Sequence, residues 1–276
     1  MKKSGRLFLI VFISFIFSVI VQAEDKLQID IHGYLSQGFM YSNHNNYLAD
    51  TKNGTFQFNE LGINFSTQVT DKLRVGMQFA ALDLGDVGND KINIDWAFAD
   101  YRWQDWLGIR AGKIKMPTGF YNKTRDIDML RTFILLPQSI YVETFRDTLT
   151  AIKGLGVYGE IPLKTLGNIS YELLGGTMNI DKDSVTTKGV EGQGFFKVES
   201  YNIKKAFCGE ITWETPLKGL RLGFSRVNID LKTNGVLGRD FTIPPFPPYS
   251  IIIPKGTPII NKTPNIVKLI YSLEYT

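Results

Sequence analysis

The sequence predicts an all-β chain, a transmembrane antiparallel β-barrel that follows a cleaved signal peptide. Three observations predict it: an export signal with no second apolar span behind it, ten strand segments of which the clearest alternate with a period of two, and connections that are alternately short and long.

The export signal comes first. Lys2, Lys3 and Arg6 form a positive start, Leu7 to Ile20 is almost wholly apolar, and Val21-Gln22-Ala23 offers small residues for cleavage. A membrane anchor needs about 20 apolar residues, more than this run provides. Residues 1–23 therefore read as a signal peptide and residues 24–276 as the exported barrel. The chain has 31 Lys and Arg against 27 Asp and Glu; the signal removes three cations, leaving 28 against 27, and the net charge falls from +4 to +1. With no compact basic run, nothing here points to nucleic acid as a partner. Cys208 is the single cysteine, so no intrachain disulfide holds the exported chain together. Without a second apolar helix such a chain enters a membrane only as a closed barrel, because lipid leaves no backbone polar group unpaired.

The strands follow in order. The first, 27–41, sets Leu27, Ile29, Ile31 and Leu35 against Gln28, Asp30, His32 and Ser36. The second, 56–69, sets Leu61, Ile63, Phe65 and Val69 against Glu60, Asn64, Ser66 and Gln68. The third, 73–84, sets Leu73, Val75, Met77 and Phe79 against Arg74, Gly76 and Gln78. Successive side chains on a strand point to opposite faces, so each strand has one apolar and one polar face. The fourth, 92–103, switches face near Asp95 and Trp96, which predicts a bulge. In the fifth, 106–115, Lys113 and Lys115 share the parity of Ile109 and Ala111, and a bulge would be needed to turn them inward. The sixth is 155–161. The seventh, 167–175, sets Ile169, Tyr171 and Leu173 against Ser170 and Glu172. The eighth, 204–214, sets Phe207, Ile211 and Trp213 against Cys208, Glu210 and Thr212. The ninth, 219–230, alternates until it breaks at Arg226. The tenth, 265–275, sets Val267, Leu269, Tyr271, Leu273 and Tyr275 against Lys268, Ser272 and Glu274.

The connections 70–72, 104–105, 162–166 and 215–218 are short, whereas 42–55, 116–154, 176–203 and 231–264 are long and polar. Outer-membrane barrels segregate short periplasmic turns from long extracellular loops in this way. Tyr101, Trp103, Trp106 and Trp213 stand near the short turns, where aromatic rings favour the lipid–water boundary.

The longest connection follows Leu107–Lys115 and opens with Gly112-Lys113-Ile114-Lys115-Met116-Pro117-Thr118-Gly119. This junction resembles the strand-to-loop segment of the Gram-negative outer-membrane porin superfamily, in its trimeric and phosphate-selective groups. The resemblance covers most of the exported chain by pattern and this stretch alone by motif. It implies that loop 116–154 folds into the barrel and narrows the pore. It also implies an outer-membrane location in lipid, passive diffusion of small hydrophilic solutes or ions, a homotrimer, no cofactor and no catalysis. A wide barrel has no core of side chains, so a loop must set its bore, and charges at the constriction bias which ions pass. Carried over by position, the loop candidates are Arg125, Asp126, Asp128, Arg131, Glu143, Arg146 and Asp147. The wall candidates are Arg74, Asp100, Arg102 and Arg110, with Lys113 and Lys115 added if they turn inward. Both signs are mixed, which predicts weak ion selectivity.

Family barrels are sixteen-stranded and usually end on an aromatic residue. Here ten strands are visible and the last residues are Glu274-Tyr275-Thr276. A ten-stranded barrel and a portion of a larger one are both open. A second function class is a non-transporting barrel that acts as an adhesin or structural protein. The loop after Lys115 discriminates, inward for a channel and outward for a binding surface.

Other motifs carry less. Gly154-Leu155-Gly156-Val157-Tyr158-Gly159 fits a nucleotide fingerprint by spacing, but Pro162 follows where a helix would have to open. His32 and His44 make no zinc signature with one cysteine, and no serine stands in a nucleophile-elbow motif. The proline-rich stretch 231–264 reads as a stiffened extracellular loop.

Overall fold

In the computed structural model the described residues are 28–85, 87–127, 130–131, 133–146, 150–192, 194–243 and 251–275. The signal segment 1–23, Asp128, Asp147 and Thr276 lie outside them. Ten strands form one antiparallel sheet: β1(Ile29–Gln37), β2(Asn59–Thr70), β3(Leu73–Asp83), β4(Asn93–Gln104), β5(Leu107–Lys115), β6(Ala151–Pro162), β7(Asn168–Ile180), β8(Phe196–Glu214), β9(Leu220–Leu237) and β12(Pro258–Tyr275). A separate hairpin, β10(Phe241–Ile243) with β11(Ile251–Ile253), sits between β9 and β12. One short helix, α1(Val185–Glu191), starts at Ser184, whose Oγ accepts the Thr187 N–H as an N-cap. Among the described residues no helix is long and apolar enough to cross a membrane.

Every strand pairs with its sequence neighbour, and β9 pairs with β12 across the β10–β11 hairpin. The sheet is not closed. β1 and β12 each have a single neighbour among the described residues, where sequence reasoning expected a closed ring. The ladder from β1 to β12 is nevertheless continuous, and contacts described below show that the sheet curls around its longest connection.

The alternation is borne out in the faces. One row of cross-strand neighbours runs Tyr101, Ile109, Val157, Leu173 on β4 to β7. Another runs Tyr171, Ile211, Phe224, Tyr271 on β7, β8, β9 and β12. Ile31, Leu35, Leu155, Phe207, Leu269, Tyr271 and Leu273 are all exposed on this outer face. An apolar face of this breadth is unusual for a protein surface surrounded by water. The predicted bulge is present. Pairing of β3 with β4 shifts between Gln78 and Phe79, and Asp95 is the extra residue between Trp96 and Ile94.

The boundaries differ from expectation at the loop end. β6 begins at Ala151, so the long loop is 116–150 rather than 116–154. β8, β9 and β12 run for 19, 18 and 18 residues and absorb much of the connections expected at 176–203 and 231–264. Polar outer side chains such as Lys232 and Asn234 hid the β9 extension from a reading based on apolar alternation. Pro258 and Pro264 hid that of β12. Proline is tolerated there because Pro258 is the first residue of β12 and Pro264 lies in the bulge between Thr263 and Ile266.

Candidate functional site

The site begins where one hairpin leaves the wall. Pairing of β5 with β4 stops at Lys113, and pairing of β6 with β7 stops at Lys153. Pairing of β5 with β6 continues through Ile114 and Lys115 to Ala151. The tip of this hairpin is thus free of both neighbours and bends across the inner face. Gly112 makes the departure possible. Its φ is 140°, and a Cβ there would lie 2.2 Å from the Ala97 carbonyl oxygen.

The tip presents different chemistry to its two sides. Ile114, Ile152 and the following Met116 pack with Leu174, Ile180, Ile203, Ala206, Cys208, Val227 and Ile229 of β7, β8 and β9. Ile152 and Cys208 are fully buried. On the other side, Lys115 pairs with Asp95 at 2.9 Å and with Asp126. The inward turn of Lys115 therefore comes from detachment of the tip; the β5–β6 register has no shift. Lys113 stands at the rim of a cavity, with its Nζ donating to the Ile94 carbonyl.

Loop 116–150 continues the charge cluster. Arg146 grips Glu60 of β2 with two nitrogens, Nη1 to Oε1 at 2.5 Å and Nη2 to Oε2 at 2.7 Å. It also reaches Asp126 at 2.9 Å and Glu143 at 3.4 Å. Arg125 pairs with Glu143 at 2.9 Å. Arg125, Asp126, Glu143 and Arg146 are all buried. Burial pushes the Asp126 carboxyl up, but Lys115 and Arg146 outweigh it and hold the pKa at about 2. Burial likewise opposes the Arg146 charge, yet Glu60, Asp126 and Glu143 hold its pKa well above the usual arginine value. Arg125 is shifted the other way: burial lowers its pKa more than Glu143 restores it.

The loop also touches the far strands. Lys123 pairs with Glu172 of β7. The Gly119 N–H donates to Ser225 Oγ of β9 at 2.9 Å, and Ser225 donates to Glu210 of β8 at 2.9 Å. The Tyr121 hydroxyl donates to Glu274 of β12, which together with burial pushes its pKa up to about 12. Lys268 of β12 donates to the Ile140 carbonyl at 2.6 Å. One loop therefore contacts β2, β7, β9 and β12, which requires the sheet to wrap around it.

Two cavities flank the loop and share no lining residue. The one at the long-connection end, about 950 Å³, is lined by Glu60, Asp95, Asp126, Arg146, Lys113, Lys153 and residues of α1. The one at the short-turn end, about 630 Å³, is lined by Arg74, Asp100, Arg102, Arg110, Lys123, Glu172 and Glu210. Along its wall runs a ladder of opposite charges: Arg74 to Asp100 at 3.3 Å, Asp100 to Arg110 at 3.2 Å, Arg110 to Glu172 at 3.4 Å. Arg110 is steadied between Tyr158, 3.9 Å from the ring centre, and Phe98, at 5.5 Å. Arg102 pairs only weakly with Asp105, at 3.7 Å.

Of the sequence candidates, the structure brings together Lys115, Arg125, Asp126, Glu143 and Arg146 in one cluster, and Arg74, Asp100, Arg102 and Arg110 around one cavity. Arg131 donates to the Phe133 and Ile134 carbonyls of its own turn. Asp128 and Asp147 lie outside the described residues. Sequence reasoning missed Glu60, Asp95, Lys123, Glu172 and Glu210. Glu60, Glu172 and Glu210 stood in plain view on the polar parity of their strands. Their parity gave the face but not the partner.

No family model matches this chain, and no curated protein matches it.

Proposed function

We propose that this chain is an outer-membrane porin that lets small hydrophilic solutes and ions diffuse through a water-filled channel. The observation that carries the reading is the course of loop 116–150 across the inner face, with a polar cavity on each side of it. An inward loop that sets a bore is what a channel needs; an adhesin would present its loops outward. The exposed apolar outer face supports lipid as its surroundings. Both charge signs line both cavities, which supports weak ion selectivity. In this reading the wall closes in the membrane, since lipid tolerates no bare strand edge.

Planar-bilayer recording of the purified chain tests it. Stepwise ion currents with a small reversal potential in a salt gradient are expected. A chain that inserts, shows heat-dependent gel mobility and carries no current would sink the channel reading.

A further inference from the structure

We infer that the outer face of β8, β9 and β12 carries a docking surface for phosphate-bearing lipid headgroups, formed by Arg226, Lys205, Lys232 and Lys262. The inference rests on the membrane-barrel reading proposed above.

The cross-strand register places these residues. On the outer face Leu222 lies between Trp213 and Leu273, Phe224 between Ile211 and Tyr271, and Asn228 between Phe207 and Val267. From Leu220 to Asn228 the strand rises about 26 Å. At a tilt of 45° this spans roughly 19 Å of height, close to the apolar band of about 25 Å. Arg226 sits near the top of that band, between Gly209 and Leu269. The row above Asn228 pairs Lys205 with Asp230, and the row above that pairs Lys232 directly with Lys262. Chemistry on one face thus changes from aliphatic and aromatic to cationic within a few residues. That level, on the long-connection side, is where lipid headgroups lie.

Among the described residues no carboxylate lies within ion-pair distance of Arg226, Lys205, Lys232 or Lys262, whereas Lys115, Arg125, Arg146, Arg110 and Arg221 inside are all paired. Asp230, the nearest acid by register, spends one oxygen on the Asn265 N–H at 3.0 Å. Arg226, Lys205 and Lys262 are exposed and Lys232 is half-buried. Two lysines directly opposite each other repel. An anion between them removes that repulsion, and basic residues at a membrane surface attract anionic headgroups. Charge complementarity and continuity with the apolar face together select a lipid rather than a soluble polyanion.

The test uses the full chain folded into vesicles of phosphatidylcholine with phosphatidylglycerol, extracted gently, with retained lipid counted by native mass spectrometry. The wild type is expected to retain phosphatidylglycerol preferentially. The triple variant Lys205→Gln, Lys232→Gln, Lys262→Gln is expected to lose about tenfold of that preference. The control pair Lys72→Gln, Lys164→Gln, in turns at the opposite end, is expected to lose none. Salt near 1 M is expected to erase the wild-type preference. Equal retention by the triple variant, equal loss in the control, or retention indifferent to salt would overturn the inference and leave the barrel reading standing. Failure of the chain to insert would overturn both.

Discussion

The two halves of the inner face hold the same hairpin and loop by different means. Toward β2 and β4 the grip is ionic: Arg146 on Glu60, Lys115 on Asp95. Toward β7, β8 and β9 the hairpin tip is gripped by apolar contact: Ile114 and Ile152 against Leu174, Cys208 and Val227. The apolar contact is non-directional and excludes water, each buried aliphatic side chain contributing about 1.5–3 kcal/mol. The ionic contact fixes geometry but tolerates no loss of a partner, because the group left behind is a buried charge. The difference teaches that the apolar half anchors the inserted element, while the charged half fixes where it stands and leaves the polar space beside it.

Removing the ionic grip should have the largest effect. Arg146→Ala removes the buried cation that Glu60, Asp126 and Glu143 share and should cost about 3–5 kcal/mol. A lower denaturant midpoint and a higher single-channel conductance are expected together. If both match the wild type, the loop is not held by this arginine.

On the apolar side, Ile152→Ala should cost about 2–5 kcal/mol, because a fully buried side chain leaves a cavity. Here the midpoint should fall with little change in conductance among molecules that remain folded. A conductance rise like that of Arg146→Ala would erase the distinction between the two halves.

Acid should loosen the charged half alone. The folded pKa of Asp126, about 2, lies below the unfolded value near 3.9. Its stabilisation, about 2–3 kcal/mol, is complete above pH 4 and is lost as pH falls from there through 2. Conductance recorded from pH 5 to pH 2 should rise in the wild type, and Asp126→Asn should flatten that rise. An identical profile in the variant would exclude Asp126 as the titrating group.

The smallest effect should come from an exposed pair. Lys91 meets Asp181 at 2.5 Å over the loop-end cavity, and both side chains are more than half exposed. Lys91→Ala should lower the unfolding free energy, read from denaturant titration, by less than about 1 kcal/mol, and by nothing at high salt. A larger shift would mean that the rim of the cavity is as firmly built as its floor.

Much of this was legible in the amino-acid order. Ten strands, the outward apolar parity and the bulge at Asp95 all follow from a local period of two. Arg125, Asp126, Glu143 and Arg146 were legible as charges in a long loop. Their arrangement was not. Glu60 and Arg146 are 86 residues apart, and no local pattern encodes which strand a loop charge will face. The distal halves of β8 and β9 were read as loop because their outer side chains turn polar, and that of β12 because of Pro258 and Pro264.

Side-chain alternation by itself determined which residues can share a face, because that follows from backbone geometry within one strand. Only the tertiary structure decided that the β5–β6 tip leaves the sheet and that the loop spans β2 to β12. Those outcomes depend on non-local register, on burial of charges that must find partners, and on a glycine at residue 112 whose permissive backbone lets the chain turn inward.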